Sequence, residues 1–206
     1  LRQPDPAAVH ASYLLRPQPG YPFTLQCEVG YHLGPDGLAS TVAVTNRGTR
    51  PAPVGIGVHP YLLAGGPVDA ISLQVPGQTR LVTDRRGIPT GREEVGGTRH
   101  DFRQPRPIGD LLLDTPYTDL TRDPDGHARV HFDRPDGWRL ALWIDRSWPY
   151  LQVYTGDTLP PAERRRSLAV EPMTCPPNAF NDGTDALLLD AGQTVSGSWG
   201  IQARHR

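Results

Sequence analysis

Apolar and polar positions alternate along most of this chain, in short runs cut by turns. Phe23, Leu25, Cys27, Val29 and Tyr31 are separated by Thr24, Gln26, Glu28 and Gly30. A period of two puts one set of side chains on each face of an extended strand, so this run predicts a strand with one buried face. Gly34-Pro35-Asp36-Gly37 then turns the chain, and 38–46 returns with Val42 and Val44 flanking Ala43. Strand, turn and returning strand predict a β-hairpin. The pattern recurs downstream. Ala128, Val130 and Phe132 alternate with Arg129 and His131, Arg134-Pro135-Asp136-Gly137 turns, and Trp138–Ile144 returns. Further strands are predicted at Tyr150–Tyr154, 167–170, 186–189 and 194–201.

No segment carries the spacing of an amphipathic helix of useful length; 160–165 has room for one turn. The opening segment, Leu1-Arg2-Gln3-Pro4-Asp5-Pro6-Ala7-Ala8, reads as neither a helix start nor a strand. Pro and Gly, 23 and 22 of 206 residues, are spread throughout, which cuts helices short and leaves no low-complexity linker. These signals predict an all-β protein, an antiparallel β-sandwich forming a single domain over residues 1–206.

Composition narrows the partners. A net charge of −1 and a pI near 6.7 leave no basic field for nucleic acid or an anionic membrane surface. All 21 basic residues are Arg, which excludes Schiff-base chemistry and pyridoxal phosphate attachment through Lys. Cys27 and Cys175 lie 148 residues apart and form no disulfide framework or zinc motif, so two reduced thiols in a cytoplasmic protein are expected. No apolar run reaches membrane-spanning length. The chain begins with Leu and its one Met is Met173, from which a sequence lacking its N-terminal part is expected.

Two segments bring in chemistry. Gly55-Ile56-Gly57-Val58-His59-Pro60-Tyr61-Leu62 holds a His on a stiff, extended stretch. Ala169-Val170-Glu171-Pro172-Met173-Thr174-Cys175-Pro176-Pro177-Asn178-Ala179-Phe180 holds a Glu where an apolar strand meets a Pro-rich loop. A His donates protons near neutral pH, and a desolvated Glu has a raised pKa that makes it a better base. The pair is separated by 112 residues, so only folding brings it together. Structural readings compete: a packed or capping histidine for His59, and a surface salt bridge with one of Arg164 to Arg166 for Glu171.

In wording and order these segments resemble the aldose 1-epimerase (galactose mutarotase) family, in its bacterial HPY-type branch. The resemblance extends to Pro17-Gln18-Pro19-Gly20-Tyr21-Pro22-Phe23, Asn46-Arg47-Gly48, Asp101-Phe102-Arg103, Leu113-Asp114 and Trp199-Gly200-Ile201. It implies a large galactose mutarotase-like sandwich, incomplete at the N-terminus because nothing before Tyr21 matches the family's opening portion; His10 and Arg16 are left unassigned. It implies interconversion of the α and β anomers of a free hexose, with no cofactor and no metal. By resemblance His59 is the general acid, Glu171 the general base, and Asp114 and Tyr61 hold the sugar. Asp119 competes with Asp114 for that role, and a turn-capping role competes for Asp114. Trp143, Trp148, Tyr154 and Phe180 are candidate sugar-ring contacts or ordinary core. Two other readings stay open: a non-catalytic carbohydrate-binding sandwich, and a glycoside hydrolase using Asp114 and Glu171.

Overall fold

The computed structural model describes residues 1–205, and those residues build three antiparallel sheets. The largest has nine strands. From one edge they are β1 (Arg2–Asp5), β2 (Ala8–Leu15), β3 (Leu25–Gly34), β4 (Gly37–Asn46), β17 (Thr194–His205), β13 (Trp138–Ile144), β12 (Ala128–Asp133), β7 (Ser72–Gln74) and β10 (Arg106–Pro107). The second has six: β6 (Tyr61–Leu63), β15 (Ser167–Met173), β14 (Tyr150–Tyr154), β11 (Asp114–Leu120), β8 (Gly77–Thr83) and β9 (Pro89–Glu94). A two-stranded ribbon joins β16 (Leu187–Leu189) to β5 (Ala52–Val54). Among the described residues the helical content is one short turn, α1 (Ala179–Asp182), and a single 3₁₀ turn at Val68–Ala70. No helix among the described residues is long and apolar enough to cross a membrane.

Both predicted hairpins form. Gly34 pairs with Gly37 across a two-residue Pro35-Asp36 loop. Gly37 has φ of 111°, and a Cβ there would sit 2.2 Å from the Ile201 carbonyl oxygen, so only glycine turns the chain at this point. In the second hairpin the Arg134 N–H donates to the Trp138 carbonyl at 2.8 Å. The core fills the space between the two large sheets. Phe132, Leu142 and Ile144 from one side meet Leu151, Val153, Leu168 and Val170 from the other, all fully buried. The burial expected along 23–31 fades with distance. Leu25 is buried, Cys27 and Val29 are half-buried, and Tyr31 is exposed. β2 and β3 lie toward one edge of the nine-stranded sheet, and most of their side chains are exposed or half-buried.

Two strands outrun their sequence signal. β15 continues to Met173 and β17 to His205. β17 pairs with β4 up to Ile201 and with β13 as far as His205, so the β13 ladder alone holds the last residues, whose side chains no longer alternate. The opening residues correct the reading that they are not strand: β1 and β2 form a hairpin in which Arg2 pairs with His10.

Asn46 organises the end of β4. Its amide donates to the Arg50 and Leu189 carbonyls, each at 2.8 Å, and its Oδ1 accepts from Gly48 N–H at 2.9 Å. The residue is fully buried. Asn46→Ala leaves two carbonyls and one N–H without partners, with an expected cost of about 2–4 kcal/mol. Urea unfolding checks this, and a loss below about 1 kcal/mol would mean that water replaces the amide.

Candidate active site

β15 alternates. Leu168, Val170 and Pro172 are buried toward the core, while Ala169, Glu171 and Met173 point to the opposite face of the six-stranded sheet. Residues 56–63 lie antiparallel along this strand. Tyr61 pairs with Ala169 and Gly57 with Met173. Between them Val58 N–H donates to the Pro172 carbonyl at 3.1 Å and Val170 N–H to the Pro60 carbonyl at 3.2 Å. These bonds bracket His59. Pro60 and Pro172 supply carbonyls here and, lacking N–H groups, leave each of these pairs with one bond where an antiparallel pair usually exchanges two.

The result is direct contact between the two candidate residues: His59 Nε2 lies 3.2 Å from Glu171 Oε1. The His59 side chain is 54% exposed and that of Glu171 16%. The Tyr61 ring stacks on the imidazole, with centroids 4.9 Å apart and planes at 22°. Burial, helped by the negative charge of Asp114, pushes the Glu171 carboxyl up to about 7. The Tyr61 hydroxyl is also pushed up, first by burial and then by Glu171.

Gln152 stands directly across from Glu171 on β14, and Asp114 across from Tyr154 on β11. Gln152 Nε2 donates to Asp114 Oδ1 at 2.5 Å, and its buried Oε1 makes no hydrogen bond. Tyr154 closes this end, its hydroxyl 2.7 Å from Thr158 Oγ1. One face of the sheet therefore gathers His59, Tyr61, Glu171, Asp114, Gln152 and Tyr154. Gln152 escaped the sequence reading. Its signal is the alternation of Tyr150, Gln152 and Tyr154 against the buried Leu151 and Val153. Pro116 is tolerated in β11, an inner strand, because pairing with β8 begins only at Tyr117.

Other candidates lie elsewhere. Asp119, with φ of 53°, is bound to Arg92 at 2.9 Å. Arg165 does not reach Glu171; it is held by Asp157 at 2.7 Å and Asp69 at 2.9 Å. Trp148 is fully buried core and donates to the Ser198 carbonyl at 3.0 Å. Trp143 sits on the nine-stranded sheet, 4.8 Å from the His127 ring. Phe180 is 59% exposed on α1. Among the described residues no group of three or more His, Cys, Asp or Glu side chains is placed to hold a metal ion.

A carboxyl that titrates near neutrality, touching an imidazole, moves protons in both directions at physiological pH. Comparison with known proteins places the chain in a family. The chain is 36% identical over 191 residues to the uncharacterized protein YihR of Escherichia coli K12, a match covering 90% of this chain and 58% of that protein. The chain thus spans less than two thirds of its curated relative. Its fold is similar to that of a GalM/aldose epimerase homologue from C. elegans, with a TM-score of 0.85 at 21% identity, over 100% of this chain and 67% of that one. It is similar also to galactose 1-epimerase from Lactobacillus acidophilus, with a TM-score of 0.80 at 19% identity, over 98% and 65%. The sandwich is thus galactose mutarotase-like. The family model for aldose 1-epimerase matches residues 2–202, the opening hairpin included, and the chain therefore belongs to the aldose 1-epimerase family.

Proposed function

We propose that this chain carries the acid–base centre of an aldose 1-epimerase acting on a free hexose. The observation that carries the reading is the 3.2 Å contact between His59 and a Glu171 whose carboxyl titrates near 7. In the proposed reaction the Glu171 carboxylate takes the proton of the C1 hydroxyl. Protonated His59 gives a proton to the ring oxygen. The electron pair of the O–H bond becomes the carbonyl π bond as the C1–ring-oxygen bond breaks. The open aldehyde rotates about C1–C2. Closure on the other face returns both protons, so nothing is consumed. The hydroxyl oxygen and the ring oxygen are bonded to the same carbon, so an acid and a base in contact with each other suit both.

Asp114, fixed by Gln152, accepts from a hydroxyl remote from C1, and Tyr61 packs against both the sugar and His59. Contact with Glu171 gives His59 a role that the glycoside hydrolase reading lacks. The test is polarimetry on freshly dissolved α-D-glucose and α-D-galactose. Acceleration of mutarotation by the chain supports the reading; binding of either sugar without acceleration would leave only a carbohydrate-binding module.

Asp114→Asn has two expected effects. KM rises roughly tenfold, because a charged hydrogen bond to the sugar is weakened. The acid limb of the pH–rate profile moves to lower pH, because the charge that helps raise the Glu171 carboxyl is removed. An unmoved limb with unchanged KM would return Asp114 to a structural role.

A further inference from the structure

A cavity of about 390 Å³ opens at the corner where the chain leaves β7 in the nine-stranded sheet and enters β8 in the six-stranded one. It is far from the acid–base pair. Gln78 in its wall follows Gly77, which pairs with Leu120 at one end of β11, while Asp114 stands at the other end. At about 3.3 Å per residue those ends are roughly 20 Å apart, so one monosaccharide cannot reach both places. None of the residues lining the cavity has a part in the chemistry proposed above.

The walls are almost entirely polar. Pro76 is the one apolar residue among those lining the cavity, whereas pockets for drug-like ligands and cofactors are mostly apolar. The charges cancel. Arg103 donates to both oxygens of Asp101, at 2.9 and 2.8 Å, and Arg129 is held by Asp123 and Asp125. No guanidinium is left over to meet a phosphate or carboxylate, so a neutral occupant fits. The walls are also fixed in advance. Arg103 donates to Gln78 Oε1 at 3.2 Å, Gln78 Nε2 to Thr121 Oγ1 at 2.8 Å, and Gln74 Nε2 to the Arg103 carbonyl at 3.0 Å. Side chains already held this way lose little freedom when a ligand binds.

Bonding capacity is left between these fixed groups. His131 stands across from Gln74 on β12 and faces outward, because its neighbours Val130 and Phe132 are buried in the core. The half-buried His131 ring, the Gln104 side-chain amide and Gln74 Oε1 have no hydrogen-bond partner among the described residues. Burial, helped by Arg139, pushes the pKa of His131 down, so the ring is neutral at physiological pH and offers one donor and one acceptor. The Gln104 amide offers both as well. A sugar hydroxyl likewise donates and accepts at once, and planar groups of this kind match it. We infer that this cavity is a second saccharide site, for one neutral pyranose unit, separate from the acid–base pair. His131 and Gln104 supply bonds to its hydroxyls, and the Pro76 ring meets its C–H face. The inference stands independently of the roles proposed for His59 and Glu171.

The experiment titrates the isotope-labelled chain with methyl α-D-glucopyranoside and methyl α-D-galactopyranoside, which cannot open their rings, and with sorbitol, and follows the amide shifts by NMR. The proteins are the unmodified chain, His131→Ala, Gln104→Ala and Glu171→Gln. At least one glycoside is expected to shift the amides of Gln74, Gln104 and His131 saturably. His131→Ala and Gln104→Ala are each expected to raise the Kd read there roughly tenfold, and Glu171→Gln to leave it unchanged. Unmoved amide shifts along β14 and β15 in the two variants show that they fold. The absence of saturable shifts at these amides with either glycoside, or a Kd that both substitutions leave unaltered, overturns the site. Sorbitol binding as tightly as the glycosides overturns its assignment to a ring sugar. Saturation here in a chain that does not accelerate mutarotation supports this site and overturns the proposed reaction. Acceleration of mutarotation without saturation here does the reverse.

Discussion

Glu171→Gln is expected to slow anomer interconversion by roughly 10²–10⁴-fold, about 3–5 kcal/mol of transition-state stabilisation, with sugar affinity within a few-fold. The amide keeps the shape and hydrogen-bonding reach of the carboxylate but cannot take the C1 proton. NMR exchange between anomers gives the rate, and calorimetry gives the affinity. Near-unmodified turnover would exclude Glu171 as the base. The same substitution carries a stability signature of defined sign. The Glu171 carboxyl titrates at about 7 in the folded chain, above its ordinary 4.5. Between those values the folded state holds a proton that the unfolded state has released, so stability falls as pH rises through the window. Above about 7 the full cost of a buried carboxylate is present, at most about 3 kcal/mol. Gln carries no such cost. The variant is therefore expected to match the unmodified chain near pH 4 and exceed it in urea midpoint near pH 8. An equal difference at both pH values would point to packing and not to ionisation.

Trp148→Ala is expected to cost about 3–5 kcal/mol of stability and to leave sugar affinity of the folded fraction unchanged. The indole is fully buried, and its N–H donates to the Ser198 carbonyl. Its ring lies so close to Gly197 that a Cβ there would stand 2.7 Å from Cε2. Truncation opens a cavity between the sheets and removes one of the two bonds to the Ser198 carbonyl, which still accepts from the Asp145 N–H at 3.0 Å. Trp148→Phe provides a variant that folds: it keeps most of the ring and loses the hydrogen bond, at an expected cost of about 1–3 kcal/mol. Urea unfolding and calorimetric titration separate the two quantities. Lost sugar affinity with stability intact would instead place Trp148 at the sugar.

What the residues disclosed before folding depends on how local the information is. The Pro-Asp-Gly turns at 35–37 and 135–137 specify hairpins because two glycines with positive φ and alternating flanks leave the backbone few options. β2 alternates Val9, Ala11, Tyr13 and Leu15 with His10, Ser12 and Leu14, a period-2 signal obscured by the Pro-rich residues before it. It is solvated over much of its length, and its register comes from pairing with β3. β11 was hidden by Pro116 and by an Asp at each end. Its place is fixed by β14 and β8, not by its own propensities.

The same division holds for the site. The two motifs were legible because Gly and Pro restrict φ and ψ locally, whatever the rest of the chain does. Their contact was not. It depends on residues 56–63 lying along β15 in one register, and a slip of one residue would turn His59 to the other face of the sheet, away from Glu171. The pairing of Asp119 with Arg92 was decided by the order of strands β11, β8 and β9, and the proximity of Asp114 to Glu171 and the position of Gln152 between them by the order of β15, β14 and β11. That order sets the burial and neighbouring charge that move Glu171 toward neutrality. Sequence by itself determined the all-β class, two hairpins and the residue types capable of proton transfer. Tertiary structure decided which of them meet, because hydrogen-bonded register and desolvation are properties of strands brought together and not of any one strand.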